Sequence, residues 1–398
     1  MIETEFTSIE ICAGAGGQAV GLRRAGFHHL ALVEIDEHAV ETLRLNVQKH
    51  ELWGSRGKRC AILDTDVNHF DPFRDLPESQ ELLRRNGLDL LAGGVPCPPF
   101  SHAGKQLGKN DERDLFPRML ELVASLRPRA VMIENVRGIM DPKFEPYRDW
   151  IAAKLQGGIY FDEDRWVEEA GIGYTVSRWD ILEASDFGVP QLRPRAVLVA
   201  FRDDVLTDID YRWPVRTRTA PVTLAEVLEP SMRERFRPYF DGVDGERAHA
   251  AFERWREKAR RGTCIAPTLV GGSKKHGGAD LGPSRAKRAW RQLGVDPMGI
   301  ANDDDTCARQ QTQERDLFRS DGPMLTVRQA ALLQGFPPDW EFAGGKTAQY
   351  RQVGNAFPPP VAEAVGESII NVLNAARSHD SRGALRQSEQ LSLDLQSR

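Results

Sequence analysis

Across residues 7–200, short apolar runs alternate with stretches whose hydrophobic positions recur at helical spacing. The runs Thr7–Cys12, His29–Glu34, Leu88–Ala92, Ala130–Glu134, Tyr174–Ile181 and Ala196–Ala200 predict strands. Ala19–Ala25, Glu37–His50 and Phe116–Leu126 predict helices between them. Alternation of this kind predicts an α/β fold, a doubly wound sheet that binds ligands at the carboxyl ends of its strands. From about Arg202 to Pro323 the pattern loosens into a stretch rich in Arg, Gly and Pro, too long for a connection. A second, smaller domain is therefore expected there. Helices resume at Thr326–Gln334 and Pro360–Ala375. The expected organisation is a sheet domain over residues 1–201, a second domain over 202–323, a return segment completing the first over 324–376, and a polar, disordered tail over 377–398.

Composition narrows the function classes. A hydrophobic share of 40% and a charged share of 28% fit an ordinary globular protein. No apolar run is long enough to span a membrane, and the first residues lack a basic segment followed by an apolar one. A cytoplasmic location without membrane partners is the expectation. The five cysteines, Cys12, Cys60, Cys97, Cys264 and Cys307, are scattered and form no CxxC pair, which argues against a disulfide framework and against a metal site. The net charge is −5, yet residues 254–291 hold eleven Lys and Arg against Glu257 and Asp280. That local surplus of nine positive charges is a candidate phosphate-binding surface.

The first strand runs into Cys12-Ala13-Gly14-Ala15-Gly16-Gly17, and a helix follows at once. Glycines at that junction let the backbone turn sharply and approach a ligand. Glu34, before Ile35, stands at the tip of the second strand, where a carboxylate suits ribose hydroxyls. Asp66, before Val67, holds the corresponding place after a further short strand and could accept from an adenine amino group. Together these features describe an adenosine pocket.

After Leu88–Ala92 comes Gly93-Gly94-Val95-Pro96-Cys97-Pro98-Pro99, a cysteine in a rigid turn over the ligand crevice. Val131-Met132-Ile133 leads to Glu134-Asn135-Val136, with a carboxylate at a neighbouring strand tip. Gln191-Leu192-Arg193-Pro194-Arg195, Leu325-Thr326-Val327-Arg328-Gln329, Gln334-Gly335-Phe336-Pro337 and Gln352-Val353-Gly354-Asn355 follow in order. In this order, and with the glycine turn, these motifs resemble those of the DNA (cytosine-5)-methyltransferases over residues 5–200 and 320–370.

The resemblance implies a Rossmann-like methyltransferase sheet that uses S-adenosylmethionine and acts on a cytosine rotated out of duplex DNA. It implies that Cys97 adds to carbon 6, so that electron density rises at carbon 5. Glu134 would hold the amino group and N3. Arg195, with Arg193, would bond the O2 edge and anchor the loop around Cys97. Gly94, Pro96, Leu115, Asn355 and Ala356 join the cofactor contacts. Phe100 to Asp114, with Ser101 and Lys105 facing DNA, has the composition of a closing loop. The loosened region corresponds to the family's variable target-recognition domain, with Lys274, Lys275, Arg285, Lys287 and Arg288 as its candidate DNA contacts. Family members commonly carry phenylalanine where this chain has Cys12, an aromatic where it has Gln18, and serine where it has Ala356.

The implied partners are double-stranded DNA and a restriction endonuclease acting on the same site, and the implied state is a nucleoid-associated monomer. An RNA or tRNA cytosine-5 methyltransferase, an inactive DNA-binding relative and a dinucleotide oxidoreductase are the competing readings. The last leaves the Pro-Cys and Glu-Asn-Val motifs unexplained.

Overall fold

The computed structural model describes residues 5–47, 53–54, 59–96, 114–162, 164–216, 220–261, 265–271 and 279–396, with side chains described through residue 379. Its centre is a seven-stranded sheet built from β1 (Phe6–Ile11), β2 (Phe27–Glu34), β3 (Ala61–Asp64), β4 (Leu90–Gly93), β5 (Ala130–Val136), β8 (Tyr174–Glu183) and β10 (Pro194–Arg202). The strand order is β3-β2-β1-β4-β5-β10-β8. The first five strands are mutually parallel, and β10 runs antiparallel to both of its neighbours. The order reverses at β1, so a crevice opens where the chain leaves β1 and β4 in opposite directions. This is the expected doubly wound architecture.

β1 is buried along its whole length, as a strand covered on both faces must be. One face packs Ile9, Ile11, Val33, Leu91 and Ile133 against the helix Phe116–Leu126. The other packs Leu90, Met132, Val197 and Phe27 against the chain's last long helix. Gly21 makes the second contact close, because a Cβ there would lie 2.3 Å from the Pro359 carbonyl oxygen.

Three expectations change. The region after residue 202 is more regular than its composition predicts, with helices at Leu224–Phe240, Gly245–Ala259, Ser284–Gln292 and Asp304–Gln310. Pro230 and Pro238 interrupt the apolar periodicity inside the first of these, which a Thr223/Glu226 capping box nonetheless starts. The return segment does not rejoin the sheet at once. Leu325, Leu333, Phe336, Tyr350 and Val353 pack in one core with Leu228, Phe252, Trp255 and Trp290 of the second domain; Trp340 meets the sheet domain beside Leu32 and Leu43, and Phe357 enters the core under the last helix. Finally, the last helix runs from Pro359 to Gln396, through the stretch expected to be disordered. Its composition is polar, but Ala, Leu, Arg, Gln and Glu are good helix formers.

β6 (Gly158–Asp162) and β7 (Arg165–Glu169) form a separate hairpin. β9 (Gln191–Leu192) pairs with β11 (Ala266–Pro267), which stitches the second domain to the sheet domain.

Candidate active site

A cavity of about 370 Å³ opens at the carboxyl ends of β1, β2 and β4. β1 ends in a tight turn in which Cys12 takes a left-handed conformation, with φ of 52°. The turn directs the Gly14 N–H to Glu34 Oε2 at 2.7 Å. The other oxygen of Glu34 accepts from the Ile35 and Asp36 N–H groups, at 2.8 Å each. Glu34 is thereby fixed at the rim, with lone pairs left for a diol. Ile35 stands beside it, 64% exposed, an apolar surface open to a flat ring.

At the other end of the cavity Glu134 lies at the tip of β5, 9% exposed. Arg195 Nε sits 2.8 Å from its Oε1. Burial raises the Glu134 carboxyl above the usual carboxylate range, against the pull of Arg195 and Arg193. Gly94 adjoins it: a Cβ there would lie 3.3 Å from Glu134 Oε2, so glycine keeps the passage open. Asn135 donates to the Val95 carbonyl at 2.8 Å and ties the β5 tip to the segment leading into Pro96.

Of the candidate cofactor residues, Cys12, Ala13, Gly14, Ala15, Gly17, Glu34, Ile35, Gly94, Pro96, Leu115, Asn355 and Ala356 line this one cavity together with Glu134. Gly16, Asp66 and Val67 do not. Gly16 instead leaves room for Leu43 and for Trp340, which a Cβ would meet at 2.9 and 3.0 Å. Trp340 in turn donates to the Ala15 carbonyl at 3.1 Å. Asp66 caps a short 3-10 turn by accepting from the Asn68 N–H, and Val67 is buried in the core.

Arg193 is held by backbone. It is fully buried and donates to the carbonyls of Leu269 (2.6 Å), Gly354 (2.7 Å) and Ala356 (2.9 Å). A fork with several N–H donors suits three converging carbonyls better than a substrate edge. Arg193 thereby joins the start of β10 to the second domain and to the backbone on either side of Asn355. Gln191 supports the same junction, accepting from the Leu269 N–H at 2.8 Å and donating to Gln334 at 2.7 Å.

Cys97, Ser101, Lys105, Lys274 and Lys275 lie outside the described residues. Among the described thiols, Cys12 and Cys60 stand closest to the pocket. Burial and then neighbouring carboxylates raise both, so neither is a ready thiolate. On the DNA side, Arg285 and Arg288 are exposed on the helix Ser284–Gln292, whereas Lys287 is paired with Asp280 at 2.7 Å. Glu229, Glu253 and Asp321, all outside the basic stretch, pair with Arg260, Arg256 and Arg291. The folded patch is thus less positive than its linear count.

Glu10, Gln18, Asp36 and Arg351, none of them a ligand contact expected from the motifs, also line the cavity. Glu10 carried a signal, being the one ionisable residue of an otherwise uncharged buried strand. Arg351 precedes Asn355 by one helical turn, and its guanidinium lies 3.4 Å from Asp36.

The family description C-5 cytosine-specific DNA methylase matches residues 6–371. The chain belongs to that family. The methylase is similar to type II methyltransferase M.NaeI of Lentzea aerocolonigenes, 46% identical over 92% of this chain and 75% of the relative. It is also similar to M.NgoMIV of Neisseria gonorrhoeae, 44% identical over 93% of this chain and 98% of that one. Its fold resembles a prophage protein of E. coli described as a DNA modification methyltransferase, with TM-score 0.57 and 22% identity over 93% of this chain and 99% of that one. Spodoptera frugiperda DNMT2 gives a TM-score of 0.55 at 16% identity, covering 92% and 99%. The resemblance read from the motifs is borne out, and the methylase is an enzyme acting on carbon 5 of cytosine in DNA. Among the described residues no helix is long and apolar enough to cross a membrane.

Proposed function

We propose that the methylase transfers the methyl group of S-adenosylmethionine to carbon 5 of a cytosine held out of the duplex, through a covalent bond from Cys97 to carbon 6. The observation that carries this is the single cavity joining Glu34 and the glycine turn at one end to Glu134 at the other. A nucleoside-sized cofactor at the first end and a base at the second would share one cleft, and Pro96 on its wall leads directly to Cys97.

S-adenosylmethionine supplies an electrophilic methyl group when bound. Glu34 would accept from its ribose hydroxyls and Ile35 would cover its adenine, while Asn355 and Ala356 lie at the opposite wall. The described residues fit such a group: the cavity is large enough, and it holds buried polar atoms without protein partners.

The chain's own residues do the rest. The target atom is unreachable in a stacked duplex, so the base must leave the stack. The Cys97 thiolate adds to carbon 6, and the ring electrons shift toward carbon 5. Glu134, whose carboxyl burial raises above its ordinary value, would donate to N3 as negative charge develops there. Arg195 pairs with Glu134 and donates to the Pro194 carbonyl, and its N–H groups left over would donate to O2. Carbon 5 would take the methyl group, leaving S-adenosylhomocysteine; the carbon 5 proton then leaves to a base, the electrons expel the Cys97 thiolate, and N3 returns its proton to Glu134.

The second domain would read the sequence, with Arg285 and Arg288 at DNA. Its relatives are named type II methyltransferases, which supports a protective role beside a restriction endonuclease of the same site. Mapping 5-methylcytosine in plasmid from a methylation-free host that expresses the methylase tests the reading. Methylated cytosines at one recurring sequence support it, and unmodified plasmid refutes it.

A further inference from the structure

Exposed apolar side chains are ordinarily scattered, and several on one face mark an interaction surface. Ile159, Phe161 and Trp166 are such a group, with Trp166 72% exposed. They share the outer face of the β6–β7 hairpin, where Phe161 stands opposite Trp166 and Ile159 opposite Glu168. The two rings meet edge to face, with centres 5.2 Å apart. The hairpin is also acidic: from Gly158 to Glu169 the sequence holds five Asp and Glu against Arg165. Glu169 pairs with Lys154, whereas Glu168 is exposed and makes no ion pair among the described residues.

A cationic counterpart lies on the same chain. After β10, residues 209–216 form a strap without helix or strand that follows β8, the edge of the sheet. Tyr211 meets Phe201 at 5.3 Å, Arg178 of β8 lies 5.9 Å from the Trp213 ring, and Arg216 pairs with Asp186 just beyond β8. Between these anchors Val215 is 78% exposed, and Arg212 is exposed with no ion pair among the described residues.

Hairpin and strap stand level on opposite faces of the sheet. The hairpin leads into β8 at Tyr174, and Arg212 follows Tyr211, whose neighbour Phe201 pairs with Thr175 and Ala130 at the sheet end remote from Glu134. Tyr160 and Val167 seat the hairpin in the core beside the helix Phe116–Leu126, while Tyr211 and Trp213 seat the strap in the core beneath the last helix. A twofold axis along the strands exchanges the two faces and keeps their ends level. Each copy's hairpin then meets the other's strap.

We propose that this part of the β8 edge is the interface of a twofold dimer, in which the outer face of each hairpin receives residues 212–216 of the second copy and Glu168 pairs with Arg212. Charge selects this occupant, because two hairpins face to face would oppose acid to acid. The dimer stands in place of the monomer implied by the resemblance, and it leaves the carboxyl ends of the strands free for DNA.

Sedimentation velocity of the full chain tests the proposal. Wild-type protein should sediment as a reversible dimer at micromolar concentration. Trp166→Ser, Arg212→Glu and Glu168→Arg should each weaken the dimer about tenfold or more, with methyl transfer to DNA retained as the sign of an intact fold. Arg212→Glu combined with Glu168→Arg restores opposite charges in exchanged places and should recover most of the affinity. A wild-type chain that stays monomeric overturns the proposal. So does a dimer that the single changes leave equally tight, or a double variant no tighter than the singles.

Discussion

Arg195 Nε and Glu134 Oε1 lie 2.8 Å apart in a pair that is almost wholly withdrawn from solvent. Burial outweighs the arginine's pull and leaves the carboxyl easier to protonate than usual. In the proposed reaction a proton donor to N3 must hold its proton until the ring needs it, and a raised carboxyl suits that role. Glu134→Gln keeps the shape and removes the transferable proton. Single-turnover methyl transfer should fall by about a hundredfold to ten-thousandfold, the usual range for a positioned acid, with DNA binding retained. The wild-type rate should also decline as pH rises through the elevated Glu134 value, and the variant should lose that limb. A rate within about tenfold of wild type would reduce Glu134 to a partner for Arg195.

Arg193 sits two residues away and acts differently. Arg193→Lys would leave at least one of the Leu269, Gly354 and Ala356 carbonyls without its donor, at about 1–3 kcal/mol for each group left unsatisfied. The expected result is a lower Tm and weaker cofactor binding, with a modest change in the single-turnover rate of the folded protein. An unchanged Tm with a collapsed rate would return Arg193 to the substrate.

The contrast between these arginines shows how far the sequence could be read. Glu134 and Cys12 were legible because a polar residue at the tip of an apolar strand has few places to point. Arg193 and Arg195 are only two residues apart, yet Arg195 meets Glu134 while the partners of Arg193 come from residues 269 and 354–356, which only the folded chain brings near. Asp66 was harder to place, because the same residue type that binds adenine also caps turns, and its Oδ1 accepts from the local Asn68 N–H. The helices of the second domain were obscured by prolines within them and by charged faces, although the Thr223-to-Glu226 spacing marked the start of one.

The exposed pair Arg285 and Arg288 should carry more of the DNA affinity than Lys287, which Asp280 already holds. Mutating both arginines to Ala should weaken duplex binding and flatten the plot of log affinity against log salt by up to about two units. Lys287→Ala should change that slope less. Equal slopes for wild type and the double variant would place the DNA face elsewhere.

His29 ties stability to pH. Its ring is fully buried, with Nδ1 accepting from the Ser8 hydroxyl at 2.9 Å and Nε2–H donating to the Ala19 carbonyl at 3.0 Å. Burial lowers its pKa from 6.5 to about 4. An unfolded histidine takes up a proton near 6.5, whereas the folded one waits until about 4, so acid favours the unfolded chain across that window. Its contribution to the stability lost on acidification is roughly 3 kcal/mol in all. Urea unfolding at stepped pH should show a shallower acid decline for His29→Gln than for wild type. Parallel declines would contradict this assignment.

The central claim is that Cys97 bonds to the target cytosine, and duplex DNA with 5-fluorocytosine at the mapped site tests it most directly. Fluorine cannot leave as the carbon 5 proton does, so the adduct should persist. The wild-type methylase with S-adenosylmethionine should form a denaturation-resistant complex whose linked peptide contains Cys97, and Cys97→Ala should bind the same DNA without forming it. A wild-type protein that binds and methylates normal DNA yet forms no such complex, or a complex linked through another residue, would contradict the account.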